Sequence, residues 1–223
     1  MKKLIKGIID FREKSLVDYR AKFSKLAYGQ SPDVLFFACC DSRVVPNVFA
    51  STDPGDLFVM RNIGNLVPPF PDTQSEHTRD TSVAAAIEFS LSTLNVNHIV
   101  ICGHSECAAM MQFFAASGLN TGLSNLDAWL KYAAPSYERF KSCTNLPKKH
   151  LSPHNVLSQI NVLQQLDHLK TYPSIKKRLE NKTLNLHGWW FELDTADVYQ
   201  HEPDEDEFLL IDADHAEKIL ESL

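Results

Sequence analysis

Two apolar runs in this chain end in residues that bind soft divalent metals: Cys39 closes VLFFAC, while His104 and Cys107 follow NHIVICG. Two thiolates and an imidazole are a sufficient donor set for zinc, and three protein ligands leave the fourth tetrahedral position free, as catalysis requires. His104 and Cys107 stand three apart where a helix is expected to begin, so both should point the same way, and the helix dipole favours a thiolate there. Cys39 and Asp41 alternate by two along an extended segment and fall on one side of it, with Arg43 next in line to clamp the Asp41 carboxylate. Two thiolates cancel the charge of zinc, so this metal acidifies its water less than an all-histidine site does. An ionised Asp41 compensates by accepting the proton of the zinc hydroxide and turning its lone pair outward, and Arg43 keeps Asp41 charged. Alone, Cys39 would be a small buried hydrophobe, the role expected for Cys40, Cys102 and Cys143, and Asp41 with Arg43 would be an ion pair or a turn. The register of all five together carries the metal assignment.

The surrounding pattern supplies the elements that must hold them. VLFFAC is continuously apolar, as in a strand buried on both faces of a parallel sheet, and DLFVM (56–60) and NHIVIC read as two more strands. RNIGNLVPPF reads as a loop because Gly64 and the Pro68-Pro69 pair break any period. TSVAAAIEFSLSTL is helical, with Ala84, Ile87, Leu91 and Leu94 on one stripe, and AAMMQFFAA forms a helix behind the Gly103 turn. Residues 123 to 182 are mostly helical; LNLHGWWFELD is β-like and is followed by a short strand, the acidic loop EPDEDE and a C-terminal helix. The expected fold is α/β, a central mostly parallel sheet flanked by helices, in one domain over 1–223: an N-terminal helical arm (1–28), a core (31–200), and an acidic loop with C-terminal helix (201–223). Loops at the carboxyl edge of a parallel sheet lie side by side, which brings Cys39 to His104 and Cys107.

Composition narrows the function. The 223 residues carry a net charge of −6 with Lys and Arg scattered, so neither a nucleic acid nor an anionic membrane is the expected partner. Asp10, Arg12, Glu13 and Lys14 interrupt the apolar N-terminal stretch well short of an export signal or a span, and five cysteines without an export signal point to free thiols or ligands in a cytoplasmic protein. Among the histidines outside the cluster, His77, His98, His150, His154, His168, His187 and His201 share no spacing, and Pro153 argues against a helical zinc pair of His150 with His154. Trp189 and Trp190 are expected in the core or at a subunit interface.

CCDSRV (39–44), RNIGNLVPP (61–69), AAIEFSLSTLNVNHIVICGHSECAAM (85–110) and LHGWWFELDT (186–195) together resemble the β-carbonic anhydrases over roughly residues 26 to 200. The resemblance implies that Cys39, His104 and Cys107 hold one zinc per subunit, that Asp41 and Arg43 are the catalytic dyad, and that the reaction is the reversible hydration of CO2 to bicarbonate and a proton. It also implies substrate contacts from Gln30, which is similar to a glutamine of plant-like members, and from Phe58, Ile63 and the Gly103 amide. The N-terminal arm resembles the family's dimer-building arms, so a homodimer or tetramer is expected. Ala108 and Ala109 stand where members usually carry glycine, and EHTRDTSV offers no counterpart to a tyrosine of plant-like members, with His77 or Asp80 nearest. In some members the Asp swings onto zinc at low pH and shuts the enzyme. These carry Trp where this chain has Phe36, so Asp41 is expected to ligate the metal only if a closed state forms, and the open state is favoured although Arg61 matches an arginine of the switching group. Hydrolysis of a CO2 analogue such as COS or CS2 on the same ligands is the competing activity. A non-catalytic zinc-binding assembly subunit is the competing class, against which intact Asp41 and Arg43 argue.

Overall fold

The computed structural model describes residues 1–71, 81–116, 122–142 and 151–222. The sequence opens with a helical arm, α1 (Lys2–Asp10) and α2 (Leu16–Leu26), joined by a π-type turn. Strand β1 (Val34–Cys39), the short helix α3 (Pro46–Phe49) and β2 (Leu57–Asn62) follow, then α4 (Ser82–Ser92), β3 (His98–His104) and α5 (Ala108–Ala115). Helices α6 (Ser124–Leu130), α7 (Ala134–Ser142), α8 (Pro153–Lys170) and α9 (Pro173–Glu180) precede β4 (Asn185–Phe191), β5 (Val198–Glu202), β6 (Glu207–Leu210) and α10 (Ala213–Ser222).

The described strands form one sheet in the order β2-β1-β3-β4-β5-β6. The first four are parallel and the last two add antiparallel pairs. Leu35 and Phe37 of β1, Ile99 and Ile101 of β3 and Trp190 of β4 bury one face against Val83, Ile87 and Leu91 of α4 and Val162 and Leu169 of α8. The alternate residues Phe36, Ala38, Val100, Cys102 and Phe191 form a smaller core on the opposite face. This two-sided burial is why the central strands read as unbroken apolar runs.

β2 continues two residues past the expected DLFVM and sets Asn62 opposite Cys39. The acidic EPDEDE stretch is the hairpin between β5 and β6, so the expected core boundary at 200 falls inside β5. His77, Asp80, Cys143 and His150 lie outside the described residues.

Helix α8 lies close over β3 and β4 because glycine occupies the crossing. A Cβ on Gly103 would sit 2.7 Å from Val162 Cγ2, 3.2 Å from Trp190 Cδ1 and 3.3 Å from the Ser158 carbonyl oxygen. Gly103→Ala should therefore destabilise the fold by about 1–3 kcal/mol, read from chemical denaturation, because the β-branched Val162 and the buried Trp190 are packed side chains and the Ser158 backbone behind them leaves little room to yield. An unchanged denaturation midpoint would show that α8 is not in contact.

Candidate metal centre

The last residue of β1, the last of β3 and the first turn after it meet beneath α8. The Sγ atoms of Cys39 and Cys107 and a ring nitrogen of His104 lie within 4.8 Å of one another, all three residues buried. Sequence spacing put His104 and Cys107 at the N-terminus of the helix AAMMQFFAA, and that helix is α5. His104 itself closes β3 and Cys107 caps α5, because the chain turns from strand to helix through only Ser105 and Glu106. Glu106 takes φ 52° to make that turn, a left-handed conformation that costs a residue other than glycine about 1 kcal/mol or more.

The donor set fits zinc. His104 Nδ1 donates to the Ser105 carbonyl at 2.8 Å, since a carbonyl only accepts, and this leaves Nε2 as the lone-pair nitrogen. Nε2 is buried and has no hydrogen-bond partner among the described residues, the state expected of a metal ligand. Cys39 is held as a thiolate, its pKa lowered to about 4, chiefly by the hydrogen bond from the Cys107 thiol and then by His104 and the Gly64 N–H, which lies 3.4 Å from Sγ. Cys107 is pushed well above the usual thiol range by its hydrogen bond to Cys39 and by burial. The two sulfurs thus share one proton, and a cation is what allows both to be charged.

Asp41 stands beside this cluster with both carboxylate oxygens engaged. Arg43 donates to Oδ1 from its backbone amide at 3.0 Å and from Nε at 2.9 Å, and to Oδ2 from Nη2 at 2.7 Å. Those bonds, the guanidinium first, hold the Asp41 carboxyl well below the usual carboxylate range. Arg43 Nη2 also donates to the Glu106 carbonyl at 3.0 Å, so the two ligand-bearing turns are cross-linked. Arg61 is a second tie: Nε donates to the Cys39 carbonyl at 3.0 Å and Nη2 to that of Asp41 at 2.7 Å.

The other expected residues are spread more widely. Ile63, half exposed, leads the turn whose Gly64 reaches Cys39, and Gly64 needs its φ of 76° to do so. Phe58 pairs with Leu35, four residues down β1 from Cys39 and so roughly 13 Å along the strand, where it packs on Phe89 at 5.7 Å between ring centroids. Gln30 lies beyond the opposite end of β1, in a surface cleft with Phe23, Tyr28 and Pro54. Within one chain neither Gln30 nor Phe58 reaches the cluster. Gly103 lies inside β3 opposite Trp190, and its lack of a side chain serves the packing of α8.

Sequence reasoning missed the polar face of α8. Ser158 Oγ donates to the His104 carbonyl at 2.8 Å, Asn161 Nδ2 to that of Gly64 at 3.0 Å, and Gln165 Oε1 accepts from the Val67 amide at 2.9 Å. His168 Nδ1 donates to the Val67 carbonyl at 2.8 Å. The signal in SPHNVLSQINVLQQLDH was a helix with polar residues at steps of three or four, which also describes a solvated face.

A buried pair of cysteines and a histidine with one open position, at the carboxyl edge of a parallel sheet, defines a zinc enzyme site. The carbonic anhydrase family profile matches residues 34–198. A carbonic anhydrase of Synechocystis sp. is 35% identical over 91% of this chain and 71% of its own length. One of Pseudomonas aeruginosa is 34% identical over 89% and 86%. The solved β-carbonic anhydrase CcaA superposes with a TM-score of 0.84 at 34% identity, covering 96% of this chain and 92% of that one. Tetrameric β-carbonic anhydrases of Sordaria macrospora superpose at 0.73 with 28% identity, covering 89% and 95%. The chain belongs to the β-carbonic anhydrase family.

The shared thiol proton sets the linkage to pH. At neutral pH Cys39 is already a thiolate and Cys107 still a thiol, so zinc uptake should release about one proton and affinity should rise about tenfold per pH unit. Calorimetric titration of zinc in buffers of differing ionisation enthalpy measures this number; release of two protons would contradict the shared-proton pair.

Proposed function

We propose that this chain hydrates CO2 reversibly to bicarbonate and a proton on zinc held by Cys39, His104 and Cys107, with Asp41 and Arg43 as the groups that make the site reactive. The observation that carries the proposal is the ionised Asp41, locked by Arg43 beside a donor set with one open position. Zinc, when bound, supplies a Lewis acid that lowers the pKa of a water into the range of a usable nucleophile. Asp41 accepts a hydrogen bond from that reacting water and fixes the direction of its lone pair. Arg43 holds Asp41 off the metal and keeps it charged, which supports an open site. Arg61 is committed to backbone carbonyls that fix the Cys39 to Asp41 segment. Leu66, buried, packs in one cluster with Cys39, and the half-exposed Ile63 precedes the Gly64 whose amide reaches Cys39, apolar surface suited to an uncharged substrate.

The working unit is a homo-oligomer. Helices α1 and α2 bury no residue in their own subunit, and α1 exposes Leu4, Ile5, Ile8 and Ile9. Gln30 and Phe58, if they contact substrate, must come from a second copy. The chain is proposed to work in the cytoplasm: Cys39, Cys40, Cys102 and Cys107 form no disulfide, and no helix among the described residues is long and apolar enough to cross a membrane.

Stopped-flow CO2 hydration on zinc-quantified protein tests the assignment. Asp41→Asn should lower kcat by roughly 10–100-fold with zinc retained; full activity in that variant would remove Asp41 from the mechanism. Because Arg43 depresses the Asp41 pKa, the stability of the pair is present above the ordinary carboxylate pKa and lost as pH falls through the lowered one. Arg43→Met should accordingly move the acid limb of the rate profile to higher pH. Loss of activity without such a shift would contradict the role given to Arg43.

A further inference from the structure

The turn between the two zinc ligands of α5 and β3 has only two residues, and each is held by a different element. Ser105 is tied to the end of β4 and the segment after it: its amide donates to the Phe191 carbonyl at 3.0 Å and its Oγ accepts from the Leu193 amide at 2.8 Å. Glu106, the residue in the left-handed conformation, is tied to α8. Its amide donates to Asn155 Oδ1 at 2.8 Å, and Asn155 Nδ2 donates back to Glu106 Oε1 at 3.1 Å. His154 Nε2 lies 3.1 Å from both oxygens of the same carboxylate. The Glu106 carbonyl takes the bond from Arg43.

We infer that Asn155 is a positioning residue for the metal, a two-bond clamp that fixes Glu106 and so sets Cys107 relative to His104. The inference rests on the zinc site described above, and it is independent of which substrate that site turns over. Asn155 is buried and sits in the first turn of α8, where a side-chain carboxamide can present one acceptor and one donor in one plane. Glu106 matches both, with a backbone donor and a side-chain acceptor. Without the clamp, nothing on α8 opposes relaxation of Glu106 from φ 52° except the partly exposed contact with His154. That relaxation would swing the Cys107 sulfur away from the cluster. The clamp also joins the metal turn to Asp41, through Glu106 and Arg43, so ligand and dyad move as one unit.

The test reverses the polarity of the clamp without changing its volume. In Asn155→Asp two carboxylates face one another. In the double variant Asn155→Asp with Glu106→Gln, the carboxylate introduced at 155 accepts from both the amide N–H of residue 106 and the side-chain amide introduced there. Zinc release from each loaded protein to a coloured chelator is measured as a rate, after stoichiometry is established. Asn155→Asp should release zinc at least about tenfold faster than the unaltered chain, and the double variant should return to within about threefold of it. Glu106→Ala, at a half-exposed side chain, provides a variant whose folding is not at issue and should speed release about threefold to tenfold. Release from Asn155→Asp or Glu106→Ala at the unaltered rate, or from the double variant as fast as from Asn155→Asp, overturns the clamp. An unaltered chain that takes up no zinc contradicts the metal site itself, a separate result.

Discussion

Two cysteine sulfurs and an imidazole nitrogen within 4.8 Å of one another, out of contact with solvent, are an arrangement a folded chain does not hold without a purpose. Two thiolates side by side repel, and a buried thiolate alone lacks solvation, so in the absence of a cation the pair keeps one proton between them. A divalent metal removes both penalties at once. The chemistry that follows, with two negative ligands moderating the metal, makes the neighbouring Asp41 and Arg43 part of the same electrostatic problem rather than an independent ion pair.

The scaffold answers that problem mainly through α8. The loops that carry the ligands necessarily expose backbone amides and carbonyls below the surface, and each of these must find a partner. Asn155, Ser158, Asn161, Gln165 and His168, all buried, satisfy groups of Glu106, His104, Gly64 and Val67 in turn along one helix face. The helix can lie that close because Gly103 and Gly188 leave room beneath Val162. Packing and chemistry are therefore coupled: the small residues at the crossing bring α8 within hydrogen-bond reach of the site.

The parallel strands, the helix after Thr81, the three residues of the metal cluster and the Asp41–Arg43 pair beside it were legible because their signals are local: apolar runs with abrupt ends, and ligand types at short spacing. The polar side of α8 was not, since a buried polar face and a solvated one have the same sequence period and differ only in what lies opposite. Glu106 was equally hidden, because its importance lies in a backbone angle and in Asn155, distant in the chain. The helix AAMMQFFAA was legible too, but not that His104 closes β3 while Cys107 caps the helix: a strand end, a two-residue turn and a helix cap place side chains together as well as one helical turn does. Gln30 and Phe58 carried a family pattern, and their placement away from the cluster, Gln30 ahead of β1 and Phe58 on β2 opposite Leu35, turns that pattern into a question about assembly.

On the proposed reading Arg43 keeps Asp41 off the metal, so that three protein ligands and one exchangeable position persist together. X-ray absorption at the zinc edge, followed from neutral to mildly acidic pH alongside activity, tests it most directly. The expected spectrum has two sulfurs, one nitrogen and one light, exchangeable donor throughout. Entry of an Asp41 oxygen in place of that donor as the pH falls, with activity lost in parallel, would contradict it.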